Sequence, residues 1–118
     1  MKLVIRSLGV WGHPNLRTWE PEDPEAVTEV IYFDVGTDTA KSADTFNLRI
    51  ATPKGLEQLD SSDGIVAIRP LLVIKRYDFD VVWNWLQKKV AECSAKTWEE
   101  SVQNLRYYFG WEYDNFNA

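Results

Sequence analysis

A chain of 118 residues, 45% hydrophobic and 26% charged, has the size for one domain around a single core and the composition of a globular protein, not of a disordered or fibrous one. Its net charge of −5 sets it against phosphate backbones, so direct nucleic-acid binding is a poor expectation and a basic protein partner a better one. One cysteine, Cys93, excludes an internal disulfide, and with His13 as the lone histidine there is no cluster for a zinc site of ordinary composition, so no metal or other cofactor is expected.

Lys2 to Ser7, reading KLVIRS, is short and rich in β-branched and apolar residues, which predicts a first strand. The apolar run in MKLVIRSLGV is too short for a signal peptide or a spanning helix, and no later segment reaches bilayer length, so the expectation is a cytoplasmic protein without a membrane span. Leu8 to Glu25 contains Gly9, Gly12, Pro14, Pro21 and Pro24, too much punctuation for a regular element, and is expected as a long connection carrying Trp11, His13 and Trp19. His13 has the chemistry of a general base, but no second histidine, nucleophile-elbow serine or cysteine partner accompanies it. It is expected to be a loop histidine.

The charge is unevenly spread. Between Arg17 and Lys41 there is no basic residue, yet Glu20, Glu22, Asp23, Glu25, Glu29, Asp34 and Asp38 fall there, leaving 11 acids against 13 bases elsewhere. Such a run either attracts a cationic surface or only keeps the protein soluble.

Ala26 to Gly36 alternates as a strand, with Val27, Ile31, Phe33 and Val35 on one face, and Asp44 to Ala51 does so again with Phe46, Leu48 and Ile50, predicting an antiparallel hairpin. Thr52 and Pro53 form an N-cap with proline at N1, opening a short helix to about Asp60 that ends in the turn SSDG. Ile65 to Lys75 is apolar but interrupted by Pro70, so the strand is broken there or lies at an edge, with a bulge expected at the proline. Asp78 or Asp80 caps a helix to about Ser94, in which Phe79, Val82, Trp83, Leu86, Val90 and Cys93 share one face. Trp85 points about 200° from Trp83, at roughly 100° per residue, and is either packed beneath another element or a lysine stem, or exposed as a contact residue.

Thr97 followed by Glu100 is a capping box, and Trp98, Val102, Leu105 and Phe109 form an apolar stripe that needs a sheet to lie on, with Gly110 as the C′ residue ending the helix. Tyr107, Tyr108, Trp111 and Tyr113 add more ring surface than one short helix face needs. The order of elements predicts a single α+β domain over residues 1–118: an antiparallel sheet of about four strands, two C-terminal helices packed on one face and a short helix after the third strand.

Catalytic patterns are absent: no phosphate-cradling glycine loop, HExxH, GxSxG or CxxC. The carboxylate pairs Glu99 with Glu100 and Glu112 with Asp114 do not suggest glycosidase chemistry, since helical neighbours diverge by about 100° and the first pair suits the helix N-terminus. A non-enzymatic binding protein with no catalytic residues is the expectation.

The run WEPEDPE (Trp19 to Glu25), the segment ATPKGLEQL (Ala51 to Leu59), and the closing TWEE with YYFGWEY, in this order, resemble the immunity protein 8 family of bacterial polymorphic toxin systems. The resemblance implies a cytoplasmic protein, in a polymorphic toxin or contact-dependent growth inhibition system, that binds and neutralises a cognate C-terminal toxin domain by occluding its active site or substrate-binding surface. An acidic, aromatic surface suits a basic toxin domain, because complementary charge speeds encounter and aromatic anchors slow release. The residues expected at that surface are Trp19, Glu20, Glu22, Asp23 and Glu25 in the acidic run, Trp85 on its helix, and Trp111, Glu112, Tyr113 and Asp114 at the C-terminus. The alternative is an adaptor or structural interaction domain unrelated to toxins.

Overall fold

The computed structural model describes residues 1–59 and 63–114. Its strands are β1 (Leu3–Val10), β2 (Thr28–Thr37), β3 (Ala43–Ala51), β4 (Leu71–Val73) and β5 (Gly110–Trp111), and its helices α1 (Pro53–Glu57), α2 (Phe79–Glu92) and α3 (Trp98–Tyr108). The sheet order is β1-β2-β3-β4, with β5 sharing the outer edge of β3. This is the expected α+β arrangement, antiparallel except that β4 runs parallel to β3.

β1 is longer than its first six residues suggest, and a β-bulge explains why. Leu3 and Ile5 have one parity in LVIRSLGV, Leu8 and Val10 the other, so a regular strand would turn one pair away from the core. The register shift between Ile5 and Ser7 inserts one residue, and all four then lie opposite inward residues of β2. Arg6, the extra residue, turns outward and its guanidinium reaches the carbonyls of Thr37 and Ala40 beyond β2. The connection expected from Leu8 therefore begins only after Val10, and it contains a 3-10 turn at Leu16–Thr18 whose Leu16 is wholly buried.

The hairpin of β2 and β3 forms the centre. Ile31, Phe33 and Val35 face the same way as Phe46, Leu48 and Ile50, and all six are buried. α2 covers this face with Val82, Leu86, Val90 and Cys93, and α3 with Leu105; Phe109 meets Phe33 edge-on at 5.0 Å. Trp98, expected in the stripe, is half-buried at its margin. Asp78 caps α2 by accepting from the amide of Asp80, and Thr97 caps α3 by accepting from Glu100. Ser101, also buried, completes that helix start: its hydroxyl donates to the Thr97 carbonyl and accepts from the Ala95 amide.

Two local expectations are corrected. The strand near Pro70 has no bulge; it starts after the proline, which lacks a ladder N–H but whose carbonyl accepts from the Arg49 amide. Ile65 and Val66 are exposed, so no burial holds that part of the run in the sheet. Gly110 is not a left-handed helix terminator, because Phe109 leaves α3 in extended conformation and Gly110 enters β5 opposite Asn47. Glycine lets the Asn47 amide lie close against the strand: a Cβ would come 2.5 Å from its side-chain oxygen and push that amide aside. α1 ends at Glu57, while the expected end at Asp60 and the first half of the SSDG turn lie outside the described residues.

Candidate partner-binding surfaces

The loop from Trp19 to Glu25 is fixed at several points. Trp19 packs its ring edge-on against Tyr77 at 5.1 Å, and the Tyr77 amide donates to the Pro24 carbonyl at 2.7 Å. Asp23 turns the chain by accepting from the Glu25 amide at 2.9 Å. The wholly buried Thr52 hydroxyl ties the end of the loop to α1: it donates to the Glu25 carbonyl (2.6 Å) and accepts from the amides of Val27 (2.9 Å) and Gly55 (3.1 Å). These bonds and the Trp19–Tyr77 contact order the loop, and of its carboxylates only that of Asp23 takes part in them.

Those charges divide into two sets. Asp23 pairs with Lys54 at 3.7 Å and Glu25 with Arg76 at 3.5 Å, with all four side chains largely exposed. Glu20 and Glu22 are exposed and have no ion-pair partner among the described residues. An open groove of about 640 Å³ lies beside them, lined by Trp19, Glu22, Asp23, Val27, Glu29 and Gln58. Of the remaining acids of the sequence run, Glu29 lines this groove, whereas Asp34 and Asp38 do not join the surface. Asp34 accepts from the Thr45 hydroxyl and Asp38 from the Lys2 amide, and the ten-residue β2 separates Asp38 from the loop by roughly 30 Å.

Trp85 takes the packed arrangement of the two its position on α2 allows. Half-buried, it meets Phe109 edge-on at 6.2 Å, with Lys89 Nζ 5.9 Å from its ring centre and 4.4 Å from that of Tyr108. A hydrogen bond to Glu92 raises the Lys89 pKa.

The C-terminal turn is similarly engaged with its own fold. Trp111 donates from Nε1 to Asp44 at 3.0 Å, and Glu112 exchanges two bonds with Thr45, through its amide and its carboxylate. Asp114 accepts from the Trp111 amide and pairs with Arg106 at 2.6 Å, while Arg106 stacks 5.0 Å from the Trp111 ring. Tyr113 remains half-exposed against Trp111, and Tyr107 and Tyr108, both exposed at the end of α3, meet edge-on. Their groove is lined by Arg69, Arg106 and Asp114, so this face is aromatic and of mixed charge where the loop is acidic. The structure thus brings Trp19, Glu20, Glu22, Asp23 and Glu25 together, and Trp111, Glu112, Tyr113 and Asp114 together, but as two surfaces, the first acidic and the second of mixed charge.

His13 contacts the Thr18 hydroxyl at 3.0 Å. No group of three or more His, Cys, Asp or Glu side chains that could hold a metal ion occurs among the described residues, and no helix there is long and apolar enough to cross a membrane. Sequence reading passes over Trp11, which is 88% exposed at the tip of a tight turn. The Trp11–Gly12 pair was the only available signal.

No curated protein and no solved structure matches this chain. The family model for immunity protein 8 does, over residues 3–116, nearly the whole chain. The chain therefore belongs to the immunity protein 8 family, the immunity proteins of toxin systems.

Proposed function

We propose that this protein, acting as one immunity domain in the cytoplasm, binds a cognate toxin C-terminal domain and neutralises it by covering a cationic active site or substrate-binding surface, without catalysis of its own. The observation that carries this reading is the fixed acidic loop. Glu20 and Glu22 are held outward by bonds made elsewhere in the loop, so a partner meets charges already in place and pays little to order them. Complementary charge of this kind raises the association rate chiefly. Trp85, Trp111, Glu112, Tyr113 and Asp114 are secondary contacts at most in this reading, since their groups also hold the fold together.

The test is binding kinetics against the toxin domain encoded beside the protein's gene, at low and high salt. Changing Glu20, Glu22, Asp23 and Glu25 together to Gln or Asn should slow association and flatten its salt dependence, with the denaturant midpoint lowered only slightly through the lost Asp23–Lys54 and Glu25–Arg76 pairs, because exposed ion pairs contribute roughly 0 to 1 kcal/mol each. Unchanged kinetics in the fourfold variant would remove the loop from the interface. Absence of any wild-type binding would leave the adaptor reading in place.

A further inference from the structure

Of the six tryptophans, Trp19, Trp83, Trp85, Trp98 and Trp111 are half-buried and pack against the core. Trp11 does not: it is 88% exposed and stacks on no ring or cation among the described residues. Its exposure is built in. Val10 and His13 exchange two backbone hydrogen bonds, each 3.0 Å, closing a two-residue turn with Trp11 and Gly12 at its tip. Gly12 has φ of +81°, a left-handed conformation that glycine adopts without strain. The chain after the turn is fastened in its turn. Gly9 leaves room for Pro14 to fold back over the strand, since a Cβ there would lie 2.6 Å from the Pro14 carbonyl, and Leu16 is wholly buried just beyond.

The topology places this ring at the same end of the sheet as the acidic loop. Val10 pairs with Ile31 near the start of β2, and the loop from Trp19 to Glu25 leads into β2 at Thr28, so both emerge from the same end of the sheet. Only the Leu16–Thr18 turn and its flanks separate them along the chain. An exposed indole on a hydrogen-bonded turn, at the same end of the sheet as the exposed Glu20 and Glu22, has the composition of an interface hot spot with a charged rim: an aromatic group that needs a dry pocket, and acids that need counter-charges.

We infer that Trp11 is the apolar anchor of the toxin-binding surface, seated in an apolar pocket of the toxin domain whose rim carries lysine or arginine. The inference rests on the toxin-binding function proposed above. It assigns the ring to lifetime of the complex and the acids to encounter, so the two act on different rate constants.

The experiment measures association and dissociation of wild type, Trp11→Ala and Trp11→Phe with the toxin domain encoded beside the gene, together with each variant's denaturant midpoint and sedimentation behaviour. Trp11→Ala should keep the wild-type midpoint and salt dependence of association, while its dissociation rate rises by roughly 30-fold or more, the effect of losing a hot-spot side chain. Trp11→Phe should recover part of that loss. Wild-type dissociation kinetics in Trp11→Ala would overturn the anchor while leaving the acidic-loop reading standing. Failure of wild type to bind would overturn both. A dimer of the free protein that Trp11→Ala abolishes would assign the ring to a second copy and also refute the inference.

Discussion

Replacing Thr52 with valine keeps the side-chain shape and removes one hydroxyl, and that hydroxyl joins the acidic loop, the entry to β2 and the start of α1. Without it the amides of Val27 and Gly55, both at buried residues, lose their acceptor, and the Glu25 carbonyl loses a donor at 2.6 Å. Loss of the cap costs about 1 kcal/mol and a further buried unsatisfied amide about 1 to 3 kcal/mol, while the Glu25 carbonyl is near enough to the surface to find water. The sum is roughly 2 to 4 kcal/mol, a large share of the roughly 5 to 15 kcal/mol that holds a domain together. Relaxation has little room here, because Gly55 is packed so closely that a Cβ would fall 1.9 Å from the Val27 carbonyl oxygen. Chemical denaturation of wild type, Thr52→Val and Thr52→Ser measures the effect, serine keeping the hydroxyl. A valine variant within about 0.5 kcal/mol of wild type, the ordinary scatter of surface substitutions, would refute the claim that this hydroxyl anchors the loop.

Two further outcomes follow from the core. Phe109→Ala should destabilise by roughly 3 to 5 kcal/mol, because the ring is 2% exposed and packs on Phe33 and Trp85; an unchanged denaturant midpoint would contradict the packing of α3's end on the sheet. Tyr77 is buried with no hydrogen-bond partner for its hydroxyl among the described residues, and burial first, with the nearby Asp78 second, pushes its pKa up to about 12. Its unfolded pKa of about 10 is lower, so the unfolded chain releases the proton first and stability is lost as pH rises from about 10 to about 12. Tyr77→Phe should remove that part of the alkaline loss and be neutral or slightly stabilising near pH 7, as pH-dependent denaturation of the two proteins would show.

The elements legible in the sequence are those whose periodicity runs unbroken. β2, β3, α2 and α3 each bury one face at the period their residues advertise, and Thr52, Asp78 and Thr97 cap where their chemistry predicts. β1 was cut short because its bulge reverses parity at Arg6, and a pattern of period two cannot be followed through an inserted residue. β4 and β5 have three and two residues, too few for any period, and exist because the edge of β3 accepts them from distant parts of the chain. Lys54 and Arg76, which oppose Asp23 and Glu25, are likewise remote in sequence. A charge run therefore overstates the field it produces.

That division bears on how the acidic loop works. A charge that orders its own loop is already partnered and has less to offer a newcomer, whereas a charge held out by its neighbours' bonds keeps its full attraction. Trp19, Asp23 and Glu25 belong to the supporting group, with Tyr77, Lys54 and Arg76 as their partners. Glu20, Glu22 and Trp11 are the positions the fold leaves outward. Loss of a supporting residue acts on association indirectly, by loosening the loop and restoring an ordering cost to binding, and it leaves a trace in stability. Loss of an outward residue acts directly and leaves none. The loop's seven-residue acidic sequence thus reduces to two charges and one ring at the same end of the sheet that can face a partner without first being released from the protein that carries them.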